Sequence, residues 1–147
     1  GNVKIFISIT VLAFAFLSIY PVLADITGSA IVTDGDSIKI LDRKIRIHGI
    51  DAPEIKQSCK SRTDDEWACG VAATKFLANF LLDNSVTCEE KNIDQYGRII
   101  AVCHVDGEDI GEFMVRSGFA LAYRRYSKDY VDDEEEARKA KRGICNK

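Results

Sequence analysis

Hydrophobic and polar positions divide the chain into two unlike parts. Residues 5–20, IFISITVLAFAFLSIY, are almost wholly apolar, with Lys4 ahead of them and Pro21-Val22-Leu23-Ala24 behind. A positive start, an apolar stretch and small residues at the −3 and −1 positions predict a secretory signal peptide cut after Ala24. The stretch is short for a spanning helix, which needs roughly 20 apolar residues. The alternative is an uncleaved N-terminal anchor. From residue 25 onward the pattern becomes short and periodic. Segments 26–33 and 37–41 predict strands around Asp34-Gly35, a strong turn signal. In Lys44–Ile50 the side chains alternate. Ile45 and Ile47 point to a core, while Lys44, Arg46 and His48 point away from it.

Further along, Val71–Leu82 carries apolar groups at 72, 73, 76, 77, 80 and 81, the spacing of an amphipathic helix. Val86–Lys91 and Arg98–Val105 predict two more strands. Ile110–Ser117 predicts a short helix stopped by Gly118, and Ala120–Tyr123 an extended segment. A last helix runs from about Tyr130 to Lys141, acids first and bases last, as the helix dipole prefers. The acidic run Asp132–Glu136 then reads as its solvated first half. The order β-β-β-α-β-β-α-α predicts an α+β fold dominated by a five-stranded Greek-key barrel of the OB type with three helices. Residues 25–147 form its one domain.

Composition narrows the function classes. The 147 residues are 46% hydrophobic and 29% charged, which excludes collagen-like and disordered chains. A net charge of −3 gives no overall basic signal for nucleic acid, although a site can be locally positive on an acidic protein. All five cysteines lie after Ala24, and in an oxidising compartment they should pair. Cys59 and Cys69 flank a polar stretch that a bridge would tie down. Cys88 and Cys103 sit on either side of the turn at Asp94–Gly97, placed to meet across a hairpin. Cys145 is the odd one, either free or in an intermolecular bond. No C-x-x-C pair is present, which argues against zinc.

Four features carry chemistry: Asp34-Gly35-Asp36, Arg46 with Asp51-Ala52-Pro53-Glu54, Asp94-Gln95-Tyr96-Gly97-Arg98, and Tyr123-Arg124-Arg125-Tyr126. Together they offer three carboxylates for one divalent cation and one water, and two arginines for one phosphate. Guanidinium forks pair with phosphoryl oxygens, hard cations take carboxylate and carbonyl oxygens, and a further carboxylate can take a proton from water. Singly each is an ordinary turn or a solvated rim. His48 and His104 read as surface or hydrogen-bonded histidines, and Trp67 as a packing plug.

The strings VTDGDSIKI, IRIHGIDAPE, DQYGR and GFALAYRRY, in this order, resemble the staphylococcal nuclease (thermonuclease) family from about Ile26 to Gly143. The resemblance implies an OB-type barrel with three helices. It implies that Asp36 and Asp51 are calcium ligands, joined by the backbone carbonyl of Ala52. Glu54 would be the general base, or orient the water, and Arg46 and Arg98 would bind the scissile phosphate. Tyr96 and Tyr123 are candidates for lining the nucleotide pocket, and Asp34 for a supporting turn residue. The implied reaction is calcium-dependent hydrolysis of DNA and RNA at the 5′ P–O bond, leaving 3′-phosphate ends. From the leader and the cysteines, rather than from the resemblance, the protein is expected to be secreted or periplasmic and free of the membrane once the signal is removed, and it is expected to be a monomer. Two differences from the best-known member stand out. Lys56–Gly70 holds two cysteines where that member has a flexible cysteine-free loop, and Gln95 replaces a Lys. The alternative is a non-catalytic module of this fold that binds nucleic acid or a protein partner. Such modules tend to lose the carboxylates or arginines that this chain keeps.

Overall fold

The computed structural model describes residues 1–7 and 25–146. The expected signal segment is residues 1–24; most of it, 8–24 with the cut after Ala24, lies outside the described residues. In chain order the elements are β1 (Ile26–Asp34), β2 (Ser37–Ile40), β3 (Arg43–Ile47), β4 (Ile50–Asp51), β5 (Cys59–Lys60), β6 (Glu66–Trp67), α1 (Cys69–Leu81), β7 (Ser85–Ile93), β8 (Ile99–Val105), β9 (Glu108–Asp109), α2 (Ile110–Arg116), β10 (Leu121–Ala122) and α3 (Val131–Lys139). A 3₁₀ turn, Gly143–Cys145, follows. None of the described helices is long and apolar enough to cross a membrane.

β2 pairs with β1 and β3, β1 with β7, and β7 with β8, all antiparallel. β3 then meets β8 in parallel, Ile45 opposite Ile99 and Ile47 opposite Ala101. That contact closes five strands into a barrel and removes the open sheet edges that would invite aggregation. The alternation in β3 is as expected. Ile45 and Ile47 are buried, and they pack with Ile38, Ile40, Val86, Ile99 and Ala101 in one core. Leu77 and Leu81 of α1 join the same core, as do Ile110, Met114 and Val115 of α2. The barrel is thus the predicted α+β, OB-type fold with three helices.

Cys88 and Cys103 stand directly opposite on β7 and β8 and are bridged inside the core. Cys59 and Cys69 are bridged as well, and the tied-down stretch contains a two-residue ladder, β5 with β6. Cys145 is free and buried, so it is not placed for an intermolecular bond. Burial pushes its thiol pKa up, which keeps it protonated and unreactive.

Two sequence readings need correction. The strand expected over Lys44–Ile50 is broken at Gly49, whose φ is +75°. A Cβ there would lie 2.9 Å from a Tyr130 ring carbon, so only glycine fits. Beyond the break, β4 leaves the barrel and pairs with β10 instead. The acidic run is also not simply solvated. Glu134 is 2% exposed. Its Oε2 accepts the Ala122 N–H at 2.9 Å, and its Oε1 accepts from Arg138 at 2.6 Å. A buried carboxylate satisfied in this way pins α3 to β10, directly before Tyr123.

Candidate active site

One cleft of about 980 Å³ opens beside the barrel, lined by β3, β4, the β7–β8 turn and the segment after β10. Asp36, Arg46, Asp51, Ala52, Glu54, Tyr96, Arg98 and Tyr123 all line it. The eight come from five separate stretches of chain, and the closed barrel is what gathers them.

At the floor, Asp36 follows the β1–β2 turn with its side chain 12% exposed. Its Oδ2 accepts the Ala52 N–H at 3.0 Å, and its Oδ1 accepts the Ser37 hydroxyl at 2.9 Å. Arg46 lies on the face of β3 turned away from the core. Its Nη2 stands 3.6 Å from Asp36 Oδ2 and 3.6 Å from Asp51 Oδ1. Its Nη1 donates to the Ile50 carbonyl at 2.9 Å. One guanidinium therefore bridges the two acids. It does not balance them. Partial burial and the neighbouring Asp36 charge push the Asp51 pKa up; Arg46 pulls it down, and Glu54 adds to the rise.

Arg98 is held differently. Asp94 Oδ1 accepts the main-chain N–H groups of Tyr96 and Arg98, each at 2.9 Å, and Oδ2 accepts Arg98 Nε–H at 2.7 Å. Burial alone would raise the Asp94 pKa, but these bonds together hold it below the usual carboxylate value. Arg98 is thus aimed through Nε, and its Nη groups have no protein acceptor among the described residues. A planar fork aimed in this way suits two oxygens of one phosphate. The Arg98 guanidinium lies 5.6 Å from the Tyr96 ring centre, and that of Arg46 5.5 Å from the Tyr123 ring centre.

The family model described as "Staphylococcal nuclease homologue" matches residues 44–147. This chain belongs to the staphylococcal nuclease family. An uncharacterized endonuclease of Escherichia coli is 36% identical over 138 residues, covering 88% of this chain and 84% of its own. A micrococcal nuclease of Shigella flexneri is 31% identical over 142 residues, covering 84% and 76%. The succinoglycan biosynthesis protein ExoI of Rhizobium meliloti (strain 1021) is 35% identical over 98 residues. Those are 65% of this chain and 51% of ExoI, so the match spans about half of that relative. The staphylococcal nuclease match begins at Lys44, downstream of Asp36. Asp36 therefore rests on geometry, through β2–β3 pairing and its bond to Ala52.

For the calcium ion that the family implies, the donors offered are carboxylates and a main-chain carbonyl, all hard oxygens. Arg46 is one positive charge 3.6 Å from each of two carboxylates, Asp36 and Asp51, so the pair keeps a net negative charge that a cation would offset. These residues fit such an ion. Among the described residues, no three His, Cys, Asp or Glu side chains form a metal cage on their own. Main-chain and solvent oxygens would complete the shell.

Two further lining residues, His48 and Lys91, had no site role from the sequence, and Arg125 and Tyr126 were named there only as part of the Tyr123–Tyr126 string. His48 was legible as Arg46's neighbour on one strand face. Its ring nitrogen Nε2 is 3.1 Å from Asp129 Oδ2, a partner 81 residues away that no local pattern reveals. Tyr126 was legible in principle. The turn that bonds Tyr126 N–H to Tyr123 O at 3.0 Å sets the two rings edge to face, 4.8 Å apart.

Proposed function

We propose that this protein is an exported, calcium-dependent nuclease that hydrolyses DNA and RNA, cutting the 5′ P–O bond and leaving 3′-phosphate ends. The observation that carries this reading is the meeting, in one open cleft, of the Asp36–Arg46–Asp51 cluster and Glu54 with the pre-aimed Arg98 fork. Nuclease names among the relatives support it.

Each residue has a chemical task. Arg98 grips two oxygens of the scissile phosphate through its free Nη groups, and Arg46 offsets the charge that grows on phosphorus-bound oxygen. Glu54, exposed at the cleft edge, takes the proton from the attacking water. The water oxygen bonds to phosphorus as the bond to the 5′ oxygen breaks. The phosphate stays on the 3′ side, and the 5′ oxygen leaves as a hydroxyl after protonation by solvent. Asp36, Asp51 and the Ala52 carbonyl would hold calcium, which supplies a Lewis acid for the phosphoryl oxygen. Tyr96 and Tyr123 offer ring faces to unstacked bases, which favours single-stranded or frayed substrate. Two disulfides suit an oxidising compartment outside the cytosol.

The test is hydrolysis of heat-denatured DNA and of RNA by the disulfide-intact protein, with calcium or with excess chelator. The Glu54→Gln variant runs beside it. Calcium-dependent cleavage should fall by about 10²-fold or more in the variant, the usual worth of a positioned base. End analysis should find 3′-phosphates. A folded protein that cleaves nothing with any divalent metal would instead be a binding module for nucleic acid or a protein partner.

A further inference from the structure

The segment that carries Glu54 has almost no core of its own. Residues 54–58 are all exposed, between the buried Pro53 and the half-buried Cys59. An exposed loop of this kind samples many conformations unless point contacts stop it. Here the contacts converge on one residue. Asp34 Oδ1 accepts the Ile55 N–H at 2.8 Å. Gln57 holds Glu54 from both sides: its Oε1 accepts the Glu54 N–H at 3.2 Å, and its own N–H donates to the Glu54 carbonyl at 2.8 Å. The start of α1 then closes on the same place. Gly70 N–H donates to the Gln57 carbonyl at 3.1 Å. Gly70 packs so tightly that a Cβ on it would stand 1.7 Å from the Glu54 carbonyl oxygen. The neighbouring Cys69 is fully buried and bridged to Cys59, the far end of the loop. α1 itself is fixed in the core through Ala73, Leu77 and Leu81. The loop is thus clamped between a helix that cannot move and a covalent bond that does not let it swing out.

We propose that the Cys59–Cys69 bridge, Gly70 and the Gln57 side chain form a latch that positions Glu54 for proton transfer. They are positioning groups, and they touch no substrate. The inference rests on the reading of Glu54 as the base. It gives the bridge a task in turnover, apart from its effect on stability. The other bridge serves as the contrast, since Cys88 and Cys103 join strands already paired along their length.

The test is a cycle of variants assayed on single-stranded DNA with calcium: Cys59→Ser with Cys69→Ser, Glu54→Gln, and all three together. Opening the latch should lower kcat about tenfold or more, because small displacements of a reacting group cost that much, and leave KM within about twofold. In the Glu54→Gln background the same opening should cost nothing further, since the positioned group is already disabled. An unchanged kcat, or an equal loss with and without Glu54, overturns the latch. Full activity in Glu54→Gln overturns the base reading instead, and is told apart because it appears with the bridge intact. Gln57→Ala gives the second measurement should the serine pair not fold. Gln57 is exposed and outside the bridge, so this variant keeps its fold, and its kcat should fall several-fold at constant KM. An unchanged kcat there counts equally against the latch.

Discussion

The barrel wall and the rim around it hold their side chains by different means. On the wall, Arg46 projects from β3 between two buried isoleucines, Ile45 and Ile47, and β3 is paired on both sides. Its direction follows from the pleat, so the whole core fixes it. On the rim, Arg98 depends on one carboxylate, and Glu54 on a few hydrogen bonds, a glycine contact and a disulfide. The wall is cooperative: disturbing Arg46 disturbs its neighbours. The rim is modular, and its parts can fail one at a time. A site built from both gains a rigid floor and adjustable edges.

The largest effect should come from the two arginines, and they should separate wall from rim. Arg98→Ala and Arg46→Ala should each lower hydrolysis by about 10²–10³-fold, the usual worth of one group that stabilises transition-state charge. Their stabilities should differ. Arg98 is one-third exposed, and its loss should leave melting within about 0.5 kcal/mol of the parent. Arg46→Ala strips the counterion from a nearly buried Asp36 and the donor from the Ile50 carbonyl. Without metal it should cost about 1–3 kcal/mol. Thermal melts in chelator beside the activity assays check both. Equal melting of the two variants would erase the distinction drawn here.

A smaller effect should follow from Gly49→Ala, at the seam where the wall hands over to the rim. The new Cβ meets the Tyr130 ring at 2.9 Å, in a backbone conformation that alanine rarely adopts. Tyr130 also donates its hydroxyl to Asp109 Oδ2 at 2.8 Å, and Asp109 caps α2. The cost should be about 1–3 kcal/mol, read as a lowered melting temperature. Activity at a permissive temperature should also fall, because the Gly49 carbonyl accepts the Tyr123 N–H at 2.8 Å. Loss of stability alone, with a normal kcat, would show that the seam does not communicate with the cleft.

What was legible in the sequence follows the same division. The wall announced itself: Ile45 and Ile47 alternate, Cys88 and Cys103 face each other across a turn, and the helix spacing of 72–81 is plain. These patterns are local, with a period that the backbone imposes. The parallel β3–β8 contact is not local, and no spacing in either strand declares it. Gly49 was missed as a break because a single glycine inside a good alternation reads as tolerated. Glu134 was misread because a charge run looks the same whether or not one member turns inward. Only the distant Ala122 N–H reveals the difference. The cleft's acids and arginines were legible as a set through the family strings. The latch on Glu54 was not, since Gly70 and Gln57 carry no chemistry of their own.

The smallest effect lies at the hairpin tip and asks whether the rim can be loosened while the wall stands. Asp94 ionises more readily than an ordinary carboxyl, held down by its bonds from Arg98 and Tyr96 against the opposing effect of burial. Its folded pKa is below its unfolded one, so the stabilisation it lends is complete above the unfolded value, about 3.9. It is lost as pH falls through the lower, folded value. Across that window the Tyr96 and Arg98 amides should see their acceptor lose its charge and shift in an NMR titration. The amides of Ile99–Val105, bonded within the barrel, should stay protected against exchange. In Asp94→Asn the step should vanish, because the amide does not titrate, and Arg98 should lose its charged partner at every pH. Parallel loss of protection in tip and barrel would mean that the wall depends on the rim after all, and that the hairpin turn belongs to the cooperative unit.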